Sequence, residues 1–395
     1  DDLVREGMVM RLRPAALATV ALSALVMSCQ LLLGIRDADF DVADGGSGGN
    51  DGGVEASNEA GTSCSAPLPP RPPVGTGGGD GGTYIVAMKT IVLGGGPNAG
   101  FDLDRTCTCT AEDPAQARAS CVHPKTSRGC DLDGGVDNAL LTITSGFAKA
   151  SVDKFNDNIN DTLDCGRQTV LLVLQDYNGG PDDDKVVVFA DPSFGIRAPH
   201  TGGEGPDGNR CLPTYPARWD GTDRWGSARI REDGYVTFPS FEGYVRDHQL
   251  VVDGRDQPSP GPIALTGLGA SPLRVHRPVI VAKLESRDGG LELKDGVLAG
   301  RVLATDVLTS FGKSVPPGGG ERYCQDDEFK VVQTLFCQAA DIMSNPDRDF
   351  VGDRCDALAF VVGFTATPAA VAPGAAPVDP EIDAPPCTEA SLACP

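Results

Sequence analysis

Residues 228–302 read ARIREDGYVTFPSFEGYVRDHQLVVDGRDQPSPGPIALTGLGASPLRVHRPVIVAKLESRDGGLELKDGVLAGRV. Short runs rich in β-branched and aromatic residues (ARI, GYVTF, GYV, HQLVV, PIALTGL, RPVIVAKL, LEL, VLAGRV) alternate here with turn signals. The turns fall at Glu232-Asp233-Gly234, Asp253-Gly254, Asp288-Gly289-Gly290 and Lys294-Asp295-Gly296. Short strands at this regular spacing predict an antiparallel β-sandwich or barrel. The same signal extends in both directions. Upstream, Tyr84–Leu93 is a β-branched strand bounded by glycines, Thr169–Leu174 (TVLLVL) a near-continuous apolar run suited to a central strand, and Lys185–Ala190 a strand after a turn. Downstream, Ala357–Thr367 (ALAFVVGFTAT) reads as a last buried strand that closes the sheet. Helices are few. Phe147, Val152, Phe155, Ile159 and Leu163 make one apolar stripe at helical spacing that Cys165-Gly166 ends; Thr305–Phe311 is short, and Asp326–Met343 runs to the stop at Asn345-Pro346. The expected fold is mainly β, with a few helical additions and several disulfides.

Thirteen cysteines are an odd number. Setting Cys29 aside leaves twelve, a parity that fits bridges formed in an oxidising compartment. No CxxC pair occurs, the closest spacing being Cys107-Thr-Cys109, so a zinc site is not expected. Residues two apart on an extended chain bridge poorly, so Cys107 and Cys109 are not expected to pair with each other; if Cys107, Cys109, Cys121 and Cys130 form a closed set, each of the first two joins either Cys121 or Cys130. Cys324 and Cys337 lie too far apart along a straight helix to join, leaving Cys355 as the nearest partner for one of them, while Cys387 and Cys394 are placed to close a small loop.

Met10–Cys29 (MRLRPAALATVALSALVMSC) has a basic start at Arg11 and Arg13, an uncharged apolar stretch and a small residue before Cys29, the layout of a secretory signal. The apolar stretch is shorter than the roughly 20 residues of a permanent membrane helix. Residues 1–9 are read as a start-site misassignment ahead of Met10. Residues 30–82 are dominated by Gly, Asp, Ser and Pro, too polar to offset their ordering entropy, and read as a tether that is flexible in its glycine part and stiffer around Pro67–Pro73. The domain boundaries expected are therefore a signal over 1–29, a tether over 30–82, a stapled β domain over 83–370 and a Pro/Ala-rich tail over 371–395. Residues 1–28 hold as many acids as bases, so residues 29–395 keep the full net charge of −22. Such a surface repels phosphate backbones and excludes nucleic acid as an expected partner, while it suits cations. With 50 glycines, 31 prolines and aromatics at only 6%, the chain has many turns and one substantial core.

Two constellations carry chemistry. Asp131-Leu-Asp133-Gly-Gly-Val-Asp137 and Asp176-Tyr-Asn178-Gly-Gly-Pro-Asp182 share the order D-x-(D/N)-G-G-x-D, and Asp102-Leu-Asp104 adds a carboxylate pair. Alternate acids on a loop turned by glycine supply several of the six to eight oxygens that calcium takes, in a structural role. Neither copy is a full EF-hand loop, since the twelfth positions are Thr142 and Val187. The plainer alternative is that Asp, Asn and Gly merely form turns. The second constellation is aromatic: Tyr215, Trp219, Trp225 and Tyr235, beside Asp220, Asp223 and Arg224. Rings flanked by acids suit a carbohydrate surface, because apolar sugar faces stack on rings while carboxylates accept from hydroxyls; the alternative is that the rings cap the core. No HExxH occurs, and the one GxSxG match, Gly45–Gly49, has no strand before it, so no catalytic residues emerge.

Val26-Met27-Ser28-Cys29 resembles the lipobox of bacterial lipoproteins, which implies lipidation of Cys29; Gln30, standing where an Asp would retain the inner membrane, implies the outer membrane. With FDLDRTC (101–107), GGVDNAL (134–140), DGVLAGRV (295–302) and CDALAFVVGFTATPA (355–369), the layout resembles a group of predicted lipoproteins that myxobacteria encode in many copies. The resemblance implies a secreted lipoprotein domain and brings no catalytic residues. The expected role is a lipid-anchored envelope module that binds carbohydrate or another envelope component, with a purely structural lipoprotein and a secreted hydrolase as the alternatives.

Overall fold

The computed structural model describes residues 69–394, except 76–80, 97–98, 109–118, 125–130, 133–134, 146–148, 197–210, 212–214, 228, 231–235, 237–239, 258–260, 267–270, 288–289, 315–320, 328 and 374–385. The expected signal, Cys29 and most of the tether lie outside the described residues, as do Asp133 and Tyr235.

Among the described residues eleven strands form, in chain order: β1 (Gly82–Leu93), β2 (Thr169–Tyr177), β3 (Asp183–Ser193), β4 (Arg224–Ser227), β5 (Phe241–Arg246), β6 (Gln249–Asp253), β7 (Ile263–Leu265), β8 (Leu273–Arg287), β9 (Gly290–Leu303), β10 (Ala357–Pro368) and β11 (Ala370–Pro373). Eight of them, β1-β2-β3-β5-β6-β8-β9-β10, pair antiparallel with their neighbours in sequence order, and β10 returns to β1. The result is an up-and-down barrel, and closure removes the exposed edges that an open sheet leaves. The β5–β6 hairpin turns on Asp247-His248, both at positive φ, as a two-residue turn of matching twist requires. Lys294-Asp295-Gly296, expected as a turn, lies instead inside β9: Asp295 takes a positive φ and the pairing shifts register, so LEL and VLAGRV are one bulged strand.

Leu358, Phe360, Val362 and Phe364 share one face of β10, opposite Val302, Gly300, Leu298 and Gly296 of β9. The other face carries Val361 and Gly363, against which Gly100 and Gly95 pack from outside the barrel. The bulky face therefore points inward. Phe364 lies so close to Gly296 that a Cβ there would meet its ring at 2.6 Å. Large rings set opposite glycines fill a barrel of this strand number, whose interior is just wide enough for side chains. β2 and β10 are buried on both faces, which explains their continuous apolar runs.

Helices cover the outer face of the barrel. α1 (Ala139–Ser145) packs on β10 and α2 (Lys149–Asp164) on β1. Where β2 no longer reaches β1, two asparagines of α2 complete the ladder: Asn160 accepts from Ile91 N and donates to Ile91 O, and Asn156 accepts from Leu93 N. Three more helices are α3 (Ala304–Gly312), α4 (Phe329–Gln338) and α5 (Glu389–Leu392). α4 is shorter than the expected 326–343 span, because the chain leaves it to run along the barrel, where Ile342 bridges Ala357. No helix among the described residues is long and apolar enough to cross a membrane, which says nothing of strands.

The disulfides differ from the expected pairing. Cys121 joins Cys355 across 234 residues, so the four early cysteines do not form a closed set and Cys355 is not a partner of the helix cysteines. Cys165 joins Cys211, Cys324 joins Cys387 and Cys337 joins Cys394. The last two bridges overturn the expected Cys387–Cys394 loop and bind the C-terminal segment to the turn before α4 and to the end of α4. Sequence distance misled most at Cys121, whose partner stands 234 residues away.

Candidate functional site

The first acidic motif and the Asp102/Asp104 pair converge on the outside of the barrel. Residues 99–108 meet 131–138 through an isolated bridge between Phe101 and Asp137, and Asn138, the residue before α1, accepts from Leu141 N while donating to the carbonyls of Gly94 and Ala99. An asparagine cap thus ties the start of α1 to both segments. Ligand oxygens of Asp102, Asp104 and Asp137 lie within 4.8 Å of one another, and all three residues are buried. Backbone amides fix the carboxylates: Leu103 N donates to Asp137 at 2.6 Å, Thr106 N to Asp104 at 3.1 Å, Arg105 N to Asp102 and Thr108 N to Asp131.

Asp341, which carried no signal in the sequence, comes in from the segment before β10 and accepts from Ala359 N at 2.8 Å. Arg301 of β9 braces the assembly. It holds Asp349 through both guanidinium nitrogens, at 2.9 and 2.7 Å, and donates to the carbonyls of Leu103 and Met343. Its charge is thereby matched by Asp349, leaving the aspartate cluster with an excess of negative charge.

That excess appears in the proton affinities. Burial pushes Asp104 up to about 6, with the neighbouring Asp102 adding to the rise. Burial takes Asp131 to about 7, reinforced by Asp104, and takes Asp341 to about 8. Asp137 is raised well above the usual carboxylate range by burial and by Asp104, Asp131 and Asp341 together. Burial outweighs the help that Asp102 draws from the Arg105 amide and from Arg255, so it too is raised. Several carboxylates that each resist ionisation are the signature of a cluster lacking its counter-charge.

The second acidic motif is spent on a turn between β2 and β3. Asn178 accepts from Gly180 N and donates to Asp182 O, Asp183 accepts from Asn178 N, Asp182 accepts from Asp247 N, and Asp176 sits at positive φ. These side chains close the hairpin, as the turn alternative anticipated. Among the described residues no metal-ligand grouping forms there.

The aromatic constellation is not a surface platform. Trp225 is 0% and Trp219 8% exposed, their rings 5.4 Å apart, and Trp219 Nε1 donates to Asp164. Asp223 is buried and its carboxylate accepts the amides of Arg218 and Trp219, which shapes the local turn. Tyr215, at 39% exposure, and Asp220, which Thr222 holds in a turn, remain at the surface without a flat indole beside them. The tryptophans cap an aromatic-poor core.

An open groove of about 580 Å³ lies instead over β3, β5 and β6, lined by Asp184, Lys185, Glu242, Gly243, Tyr244, Asp253 and Gln257. Tyr244 is half-buried and donates to Pro70 O, while Arg246 donates to Arg71 O, so the proline-rich residues lie at its rim. Burial and the nearby Asp253 push the Tyr244 phenol up to about 12. Although burial alone raises Asp253, the Arg255 guanidinium holds its carboxyl below the usual range. Arg255 also donates to Asp102 O at 2.7 Å, which links groove and aspartate cluster through one side chain. The groove left no mark in the sequence, because its acids come from three strands and meet only in the folded sheet.

No family model matches the chain, and neither a curated protein nor a solved structure matches it.

Proposed function

We propose that the chain is an exported, lipid-anchored module of the cell envelope, held at the outer membrane through Cys29, that binds a polyhydroxylated polymer such as a polysaccharide in the Tyr244 groove. The groove is the observation that carries this reading. It combines one aromatic face with carboxylates at Asp184, Glu242 and Asp253, an amide at Gln257 and an ammonium at Lys185, the mixture a sugar needs for stacking and for hydrogen bonds to its hydroxyls. Its volume is that of a typical small-ligand site. Rings occupying the barrel lumen favour a ligand bound outside it. The disulfides favour an oxidising compartment.

Binding of the full chain to a polysaccharide panel tests the reading. Tyr244→Ala is expected to weaken the bound polymer at least tenfold, consistent with the roughly 1–3 kcal/mol that stacking and its enclosed hydrogen bonds supply. Trp219→Ala is expected to lower stability and leave affinity unchanged. Binding that survives Tyr244→Ala would refute the groove. Absence of binding across the panel would favour a structural envelope role, for which the closed, bridged barrel is the supporting feature, and release of reducing ends would favour a hydrolase.

A further inference from the structure

We propose that Asp102, Asp104 and Asp137, with Asp131 beside them, form a divalent-cation site for calcium that fastens residues 99–108 to the segment around Asp137 on the outside of the barrel. The proposal does not depend on what the groove binds. Three observations carry it.

The first is the donor set. It contains only carboxylate oxygens, the hard ligands that calcium and magnesium prefer, and neither Cys nor His joins the grouping. Calcium–oxygen bonds of about 2.3–2.6 Å place ligands on opposite sides of one ion about 4.6–5.2 Å apart. Oxygens lying within 4.8 Å of one another thus suit a single calcium ion without rearrangement. Magnesium, with bonds of about 2.0–2.1 Å, demands near-ideal octahedral geometry and gives up its water reluctantly, which disfavours it among carboxylates fixed by the backbone.

The second is an orphaned atom. Asp104 is only 3% exposed; its Oδ1 is held by Thr106 N and the Ser120 hydroxyl lies beside the carboxyl, while Oδ2 has no partner at hydrogen-bonding geometry. Buried polar atoms are nearly always paired, and an ionised oxygen without a donor is among the costliest to bury. This oxygen belongs to the carboxylate that groups with Asp102 and Asp137, so a cation among them is the partner it lacks.

The third is preorganisation. Backbone amides of residues 103, 105, 106 and 108 each hold one oxygen of a cluster carboxylate, so the side chains are already oriented before an ion arrives. Arg301 is engaged with Asp349, and Arg255 with Asp253, so neither supplies the full counter-charge.

The test uses the full-length, disulfide-intact chain freed of metal by chelation. Calorimetric titration with calcium, magnesium and zinc chloride is paired with thermal unfolding. One saturable calcium ion per chain is expected, with magnesium at least tenfold weaker and zinc weaker still. Asp104→Asn keeps the shape of the side chain and removes its charge. It is expected to weaken calcium at least tenfold and to raise the unfolding midpoint of the chelated protein, since a buried unpaired charge is gone. Asp220→Asn, at an exposed turn, is expected to leave both unchanged. Lack of saturable calcium binding by the wild type overturns the proposal. So does wild-type calcium affinity in Asp104→Asn, a chelated midpoint that falls in that variant, or a preference for zinc.

Discussion

Placing the groove outside the barrel requires a filled lumen, and the Gly296–Phe364 contact tests that filling directly. In most strand positions Gly→Ala is worth about 0.5–1 kcal/mol of added stability, because alanine loses less backbone entropy on folding. At position 296 the new methyl would lie 2.6–2.8 Å from three atoms of the Phe364 ring, closer than carbon atoms approach. The ring is buried, so it has no solvent to move into. Overpacking of this kind costs about 1–3 kcal/mol, which outweighs the entropic gain. Gly296→Ala is therefore expected to destabilise by about 1–2 kcal/mol net. Phe364→Leu alone costs about 1–2 kcal/mol through lost contacts and a residual void. Combined, the two changes relieve each other: the methyl occupies space that the ring has vacated, and the double variant is expected to be no less stable than Phe364→Leu. The interaction energy is then about 1.5–2.5 kcal/mol in the rescuing direction, well above the roughly 0.5 kcal/mol scatter of independent sites. Urea unfolding of the four proteins, at fixed calcium and with disulfides intact, measures it. Additivity within that scatter would mean that the Phe364 ring does not lie over Gly296 of the neighbouring strand on the inner face of the barrel, and the filled lumen would lose its support.

In chelator, stability is expected to fall between pH 6.5 and 8, because Asp131 and Asp341 have folded pKa values of about 7 and 8, above their unfolded value of 3.8. A raised carboxyl stabilises below its unfolded pKa and loses that contribution as pH climbs through the folded one; His123 and His276, pushed down by burial, slope oppositely only near and below 6.5, and Asp253 titrates lower still. Urea midpoints at pH 6.5, 7.2 and 8 measure the slope, and a chelated protein that gains stability over this range would contradict the buried cluster. The Cys121→Ser/Cys355→Ser double variant opens a bridge spanning 234 residues and is expected to cost about 3–5 kcal/mol, with calcium affinity falling as well, since both cysteines sit in segments that flank the aspartates. An unchanged unfolding midpoint would mean that the surrounding contacts alone hold those segments.

What the sequence disclosed depended on how far apart the cooperating residues stand. Strands declare themselves locally, and the meander pairs each barrel strand with its next in order, so the alternation across residues 228–302 together with Tyr84–Leu93 and Ala357–Thr367 was enough to anticipate an antiparallel sandwich or barrel, though not which of the two. Even the double-sided burial of TVLLVL and ALAFVV was written in their unbroken apolar character. Asp102, Asp104, Asp131 and Asp137 were legible for the same reason: loop acids near glycines in two short stretches that meet through one bridge at Phe101 and Asp137. Pairings that cross the whole chain were not legible. Cys121 finds Cys355, Arg301 finds Leu103 O, and Asp341 approaches the cluster only because β10 closes onto β1.

The two acidic motifs show why pattern alone could not separate a cation site from a turn. Their residues match, and in both glycines follow the acids. The difference lies in what surrounds them. Asp176–Asp182 sits at the hairpin tip between β2 and β3, where backbone amides occupy the Asn178 and Asp182 side-chain oxygens and Asp176 is exposed. Asp137 instead faces Asp102 and Asp104 beneath a covering of Asn138, Arg301 and the 340–356 segment, where water is excluded and like charges reinforce one another. A cluster of that kind persists only if something compensates its charge: protons at low pH, or a cation at neutral pH. Arg255 then places the two candidate sites in one electrostatic unit, because it holds Asp253 at the groove and the Asp102 carbonyl at the cluster. Any coupling carried by that side chain must act equally in both directions: the factor by which a cation at the cluster changes groove affinity is the factor by which a groove ligand changes cation affinity.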